Sequence, residues 1–378
     1  MRVCVVAEFY PSDRDPVLGV WAHRQALAAR DAGADVRVVV LHRLVPPQAS
    51  LRDGSWRREL RARLHEPRTQ ERDGLAVSYV PFVSPPRTRA YARWGAWATP
   101  ALAIALRRGP RFDLVHAHNA VPAGDAVRRA RVRAPLVVSV HGGDVLFTAH
   151  RAEGGERAVR RALSAARLTL ANSRGIAAHA ERHGAARTRV VHLGTDLPPA
   201  AAEPDDPRSV VSVGHLVARK RHADVIRALA TLHDVRYVVI GDGPERPALE
   251  RLAAELGVEA RFLGQLPHDR ALAVARRCAV LAMPSVDEAF GVAYVEAMAA
   301  GMPAIGAAGE PGPEEIGDGL LCVAPGDIGA LAGTLGDLLD DPAWRRDVGA
   351  RARRTVLERF TWERCGRETL AAYEDALR

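Results

Sequence analysis

Short apolar runs alternate with longer stretches of helical periodicity along this chain, in two successive series, and that pattern restricts it to layered α/β architectures. In the first series the strand-like runs are 2–7, 35–41, 76–80, 114–116, 136–140, 168–171 and 189–192, separated by helical stretches such as 20–32, 122–131, 156–166 and 174–183. The segment 197–208 (LPPAAAEPDDPR) has no periodicity and reads as a linker. The pattern then restarts, with strands at 210–213, 235–240, 260–263, 280–283, 304–306 and 320–323 and helices near 222–232, 246–256, 269–276 and 293–300. Strands joined through helices pair in parallel. The expected fold class is therefore α/β, with two Rossmann-like doubly wound domains, 1–198 and 199–360, facing a cleft. A last helix, 361–378, is expected to pack back on the first domain. Ligands of such sheets bind beyond the carboxyl ends of the strands, so the loops after strands carry the functional reading.

At 378 residues and 48% hydrophobic, the chain can bury two cores, which excludes a disordered protein or a disulfide-held miniprotein. Cys4, Cys278, Cys322 and Cys365 are scattered without metal-type spacing, as expected in a reducing compartment without structural zinc. The apolar run Val3–Ala7 ends at Glu8 and is too short for a secretory signal, and the uncharged run 94–106 is too short to span a bilayer. The expected location is cytoplasmic, with peripheral contact at the inner membrane face.

Net charge is +8, but residues 1–200 hold 32 arginines against 17 acids, a net of +15, and the remainder is at −7. Nucleic acid, an anionic membrane surface or a negatively charged substrate would each suit the basic half; a coding bias toward arginine would also raise overall basicity. Of 53 cationic residues only Lys220 is lysine, which marks a place for a compact ammonium rather than a planar fork.

Gly19 stands between the first strand and its helix, where backbone can approach a phosphate at a helix N-terminus, although no GxGxxG fingerprint is present. His215, Arg219, Lys220 and Arg221 cluster just before a helix, where cations oppose the dipole and a bound polyanion would explain them. Glu288 lies just ahead of a helix and Glu296 inside it, with Phe290-Gly291-Val292 between them able to turn N–H groups toward an anion. Carboxylates there can hydrogen-bond sugar or ribose hydroxyls.

Glu288 and Glu296, with the intervening Phe-Gly and the following Ala-Met-Ala-Ala-Gly-Met-Pro, resemble the E-x7-E motif of retaining GT-B glycosyltransferases of family 4 (glycosyltransferase group 1). Gly19, Gly241-Asp-Gly-Pro, Phe262-Leu-Gly-Gln-Leu and Phe360-Thr-Trp-Glu fall in that family's order, so the resemblance covers essentially the whole chain. It implies a GT-B fold, with the first domain binding the acceptor and the second the nucleotide-sugar donor. Lys220 would hold the donor phosphate, Glu288 the transferred sugar and Glu296 the ribose. Backbone at Gly19 and at Ala289, Phe290, Gly291 and Val292 would cradle diphosphate and sugar, backbone near Leu266 would meet the base, and His118 matches the active-site histidine. Where members often carry Gly-Arg, this chain has Gly214-His215, so Arg219 becomes the candidate for a second phosphate cation.

His118 is placed one step beyond its strand, facing the cleft, with His116 buried; His141 and Asp144, ending the next strand, are acceptor-side candidates. Asp13-Arg-Asp15 has the D-x-D spacing of a metal motif but lacks its strand context, and Lys220, arginines and helix termini can stabilise a leaving diphosphate without metal. No cofactor and no metal are expected. The basic segment 52–72 and the aromatic, arginine-flanked segment 87–108 suit either contact with anionic lipid or ordinary packing. The resulting expectation is a retaining, metal-independent transfer of a sugar from a UDP- or GDP-linked donor to a hydroxyl acceptor, a lipid-linked or cell-envelope glycan precursor. A sugar-nucleotide epimerase or phosphorylase of the same fold is the alternative. A nucleic-acid-binding protein would leave the glutamate pair unexplained.

Overall fold

The computed structural model describes residues 1–151, 153–201 and 203–378, which separate into two compact units: unit 1, Met1–His192 with Trp362–Arg378, and unit 2, Leu193–Thr361. Unit 1 holds strands β1 (Arg2–Ala7), β2 (Asp35–Arg43), β3 (Thr69–Arg72), β4 (Leu75–Phe82), β5 (Leu114–His118), β6 (Leu136–Val140), β7 (Leu168–Ala171) and β8 (Thr188–Val190). They form one sheet in the order β3-β4-β2-β1-β5-β6-β7-β8, parallel except for β3 against β4. Central strands in a sheet covered on both faces must be apolar throughout. β1 and β6 accordingly bury nearly every side chain, whereas the edge strand β3, Thr-Gln-Glu-Arg, buries none. That polarity is why the apolar pattern did not announce β3.

The core of unit 1 packs Val3, Val5, Val36, Val38 and Val137 of the strands against Ala22, Ala26 and Ala29 of the helix Val20–Asp31. Ala372 and Tyr373 of the C-terminal helix Trp362–Leu377 join the same core. His116, fully buried on β5, is satisfied by the Tyr373 hydroxyl at 2.8 Å and Ser139 Oγ at 2.7 Å. Burial pushes its pKa down to about 3, so it stays neutral.

Unit 2 holds β9 (Asp206–Val213), β10 (Arg236–Ile240), β11 (Glu259–Phe262), β12 (Cys278–Ala282), β13 (Ala304–Ala307) and β14 (Leu320–Val323), all parallel, in the order β11-β10-β9-β12-β13-β14. Order reverses between β9 and β12, and a doubly wound sheet binds its ligand at such a switch point. The linker expected at 197–208 gives way to β9 already at Asp206, whose backbone pairs with Cys278. Helices Ile328–Asp340 and Pro342–Arg359, joined at Asp341, complete this unit. Asp341 caps the second of them by accepting from Ala343 and Trp344 N–H at 2.9 Å each. Among the described residues no helix is long and apolar enough to cross a membrane.

Candidate active site

In unit 2, β9 ends at Val213 and the chain passes through Gly214 and His215 into one 3₁₀ turn, Ala218–Lys220, ahead of the helix His222–Leu229. The loop after β12 lies alongside: Val286 N–H donates to the Arg219 carbonyl at 2.8 Å. Glu288 is held on both sides of its peptide, its N–H donating to Glu310 Oε2 at 3.0 Å and its carbonyl accepting from Gly312 N–H at 2.9 Å. So positioned, Glu288 Oε2 accepts from Lys220 Nζ at 2.5 Å, and the two side chains are only 10% and 11% exposed. A carboxylate and an ammonium withdrawn from water at a switch point form a place where a charged ligand can exchange partners. The neighbouring Arg221 is accounted for otherwise, by ion pairing with Asp224 on its own helix.

Gly291 opens the helix Val292–Ala299 in the left-handed conformation, at φ 84°. A Cβ there would stand 2.2 Å from Tyr294 Cδ2. That ring is fully buried and its hydroxyl donates to the Met283 carbonyl, so it has nowhere to move. Ala289 and Phe290 are buried, and the Phe290 ring packs against Phe360 at 5.6 Å. Glu296 lies in a separate cavity of about 40 Å³, whose wall includes His268 and Arg276 but neither Lys220 nor Glu288. His268 Nε2 stands 3.4 Å from its Oε1, and burial pushes the Glu296 carboxyl up to about 8 against the opposing pull of Arg276. Leu266 is half-buried in the loop leading to the helix His268–Ala275. His215 is exposed, and its Nδ1 lies 2.6 Å from the Asp242 carbonyl, which ties it to the Gly241-Asp242 turn.

Gly19 and His118 belong to unit 1. Gly19 takes φ 77° at the start of its helix, and a Cβ would overlap the Phe9 carbonyl carbon at 2.2 Å, so it is packed on the loop after β1. His118 departs from expectation: it is the last residue of β5, paired in register with Ser139, and 1% exposed. The strand runs two residues further than the pattern indicated because its neighbours continue to support it, β1 as far as Ala117 and β6 as far as His118. Its Nδ1 lies 3.0 Å from His141 Nε2, so one proton is shared between the rings. Burial pushes His118 well down and His141 to about 4, keeping both neutral. His118 Nε2, His141 Nδ1 and Asp144 Oδ2 are buried without a protein partner among the described residues. Asp144 Oδ1 accepts from Val121 N–H at 3.4 Å, and burial raises its carboxyl to about 7.

His141 and Asp144 line a cavity of about 480 Å³ together with Phe9, Trp21, Tyr91 and Asn119. A neutral imidazole pair beside a carboxyl poised near neutrality is suited to hold and move the proton of a hydroxyl. Asp13 pairs with Arg72, and Asp15 caps the turn at Val17 and Leu18, so the D-x-D spacing is used structurally. Among the described residues no three His, Cys, Asp or Glu side chains are grouped to hold a metal.

The family described as "Glycosyl transferases group 1" matches residues 195–355, and "Glycosyltransferase Family 4" matches residues 18–198. A 2-deoxystreptamine glucosyltransferase from Streptomyces kanamyceticus is 33% identical over 66% of this chain and 74% of its own. The chain belongs to the group 1 glycosyltransferase family.

This glycosyltransferase is also 26% identical to a putative teichuronic acid biosynthesis glycosyltransferase, TuaC, of Bacillus subtilis, over 81% of this chain and 80% of the relative. A D-inositol 3-phosphate glycosyltransferase of Mycobacterium tuberculosis is 35% identical over 52% of this chain and 45% of its own. By structure it resembles the sucrose-phosphate synthase of Thermosynechococcus elongatus (TM-score 0.79, 21% identity, 99% and 98% of the two chains). It also resembles Anabaena HepE in complex with UDP and glucose (TM-score 0.74, 22% identity, 99% and 100% of the chains). Both likenesses bear on the fold, GT-B.

Three groups of this glycosyltransferase escaped the sequence reading. Glu8, noted only for ending an apolar run, accepts from Tyr91 Oη at 2.7 Å, and burial raises its carboxyl to about 7. A carboxylate at the carboxyl end of the first strand was the available signal. Glu310 and His268 carried none, because their partners Glu288 and Glu296 lie far away in sequence.

Proposed function

We propose that this glycosyltransferase moves a sugar from a nucleoside diphosphate sugar, UDP- or GDP-linked, to a hydroxyl acceptor with retention at the anomeric carbon and without a metal. The observation that carries the reading is the Lys220–Glu288 pair, set beside the start of the helix Val292–Ala299. As the glycosidic C–O bond breaks, negative charge grows on the leaving diphosphate. The Lys220 ammonium and the free N–H groups of the helix start would stabilise it, and Glu288, released by the phosphate from its partner, would hold the sugar hydroxyls. Retention follows if the leaving phosphate oxygen takes the acceptor proton on the same face from which the new C–O bond forms. Arg219 is the second candidate phosphate cation, Glu296 and the backbone near Leu266 serve ribose and base, and unit 1, through His118, His141 and Asp144, serves the acceptor.

The solved relative with bound UDP and glucose supports a UDP-linked donor. The relatives' names support an envelope glycan or a polyol acceptor. A lipid-linked acceptor reached by peripheral membrane contact has its own support in the helix Trp56–Leu64, which has no buried residue and carries four arginines beside exposed Trp56 and Leu64. Incubation with UDP-glucose and GDP-mannose, with and without EDTA, tests the donor and metal claims by release of free nucleotide. The anomeric coupling constant of the product tests retention. No nucleotide release from any sugar nucleotide, or an inverted product, would refute the proposal.

A further inference from the structure

A second cavity of unit 1, about 510 Å³, opens beyond the ends of β1 and β2 and shares Phe9 and Arg87 with the His141–Asp144 cavity. Its volume is that of a small-molecule site, and its charge is unusual. Four guanidiniums line it: Arg14, Arg43, Arg63 and Arg87. Among the described residues Arg43 bonds only to neutral groups, the Val45 carbonyl at 2.7 Å, Ser84 Oγ at 2.9 Å and the Ser84 and Pro85 carbonyls, and it stacks on Trp94 at 4.7 Å. Arg63 donates to the Arg43 carbonyl at 2.9 Å, and its Nε is buried without an acceptor among the described residues. Arg87 lies over Tyr91 at 4.2 Å and Phe9 at 5.0 Å.

Carboxylates offset part of this charge, Glu8, Asp15 and Glu66 on the same wall and Glu59 off it. Asp15 is engaged with the Val17 and Leu18 N–H groups, and Glu8 holds its proton near neutrality. Glu59 lies 3.0 Å from Arg14 and 4.0 Å from Arg63, and Glu66 completes the set. Arg43 and Arg63 are both shifted down, by burial and then by the positive charge of Arg63 and Arg14 respectively. Among the described residues Arg43, Arg63 and Arg87 have no carboxylate within hydrogen-bond distance, and guanidiniums so placed are stabilised by an oxyanion from outside the chain.

We propose that this cavity is an anion subsite that selects acceptors bearing a phosphate or carboxylate, held by Arg63, Arg14 and Arg87 while the rest of the molecule extends past Phe9 toward His141 and Asp144. The inference rests on the acceptor role assigned above to unit 1. It also disfavours a cationic acceptor, which Arg43, Arg63 and Arg87 would repel.

The test uses three probes with one ring, D-glucose, D-glucuronate and D-glucose 6-phosphate, titrated into the full chain at constant ionic strength with binding followed by ligand-observed NMR. The expected result is at least tenfold tighter binding of one or both anions than of glucose, and which anion leads identifies carboxylate or phosphate as the handle. Arg63→Gln and, as a variant with an exposed side chain, Arg87→Gln should each weaken the anion at least tenfold. Both should leave UDP affinity within twofold. Lys220→Ala should do the reverse, which separates failure of the subsite from failure of the donor reading. Equal binding of all three probes, binding of none, or anion affinity unchanged in both arginine variants would overturn the proposal.

Discussion

Replacing Lys220 by methionine tests both the stability and the chemistry assigned to the Lys220–Glu288 pair. The two charged groups meet at 2.5 Å with about a tenth of each side chain exposed. Removing one partner of a buried pair costs about 3–5 kcal/mol, because the other charge is left without compensation. The residual exposure favours the lower end, about 3 kcal/mol. For a unit spanning residues 193–361, each kcal/mol lowers the melting temperature by about 2–4 °C, so unit 2 should melt roughly 6–12 °C lower. Glu288→Gln keeps an acceptor for the ammonium and should lose less, about 1–2 kcal/mol. The double variant should be more stable than the sum of the singles predicts, with a coupling of at least about 1 kcal/mol. The ligand arm then separates structure from function. UDP at one hundred times its Kd should stabilise the wild type by about 2.7 kcal/mol. That gain should persist in Glu288→Gln and vanish in Lys220→Met. Calorimetric melting of the four proteins with and without UDP measures every quantity. Full UDP stabilisation of Lys220→Met, or additive single variants, would refute the argument that this ammonium is held for a phosphate.

Gly291→Ala should lose about 2–4 kcal/mol, combining a left-handed backbone with a Cβ driven into the immobile Tyr294 ring, and urea unfolding of the variant would measure it. Glu296 holds a proton in the folded state up to about pH 8 but releases it near its ordinary value when unfolded, so folded protein binds more protons between those limits and stability falls as pH rises through that window. Glu296→Gln should flatten the stability profile between about pH 7.5 and 8, where the buried histidines are largely neutral in both states; an unchanged slope in that interval would contradict it. Below about pH 6.5 the sign reverses for His116 and His141, whose depressed values make the unfolded state take up the protons, and His141→Gln should soften the loss of stability toward pH 4 in acid titrations. Asp144→Asn, which alters a group placed to hold the acceptor but not the phosphate oxygen that takes its proton, should raise the acceptor KM by about tenfold or more while leaving UDP affinity unchanged, and kinetics beside nucleotide titration would check both.

Much of this was legible in the residues because local physics wrote it there. Strands with fully buried centres, such as β6 and β7, require unbroken apolar runs, and their limits read directly as 136–140 and 168–171. Gly291 and the two glutamates eight positions apart declared a loop turning into a helix start. The arginine-rich composition made the one lysine conspicuous. Elements with no apolar signature did not declare themselves: the polar edge strand β3, and the last two residues of β5, where a histidine read as a loop residue is in fact buried in the sheet.

Tertiary structure alone decided who meets whom. A carboxylate near a strand end carries no mark of its partner, and only folding sets Glu288 against Lys220 across 68 positions, Glu310 behind Glu288, and Glu8 beneath Tyr91. Nor does a histidine's spelling disclose its charge: His116, His118 and His141 are neutral because the sheet and its neighbours exclude water from them. The crowding of Arg43 and Arg63 in one cavity wall, twenty positions apart in the chain, likewise exists only once the helix Trp56–Leu64 folds back onto the end of β2. Pattern follows from periodicity, which is local, and so the sequence determined the elements. Desolvation and pairing depend on distance through space, and so the site's charges were settled by the fold.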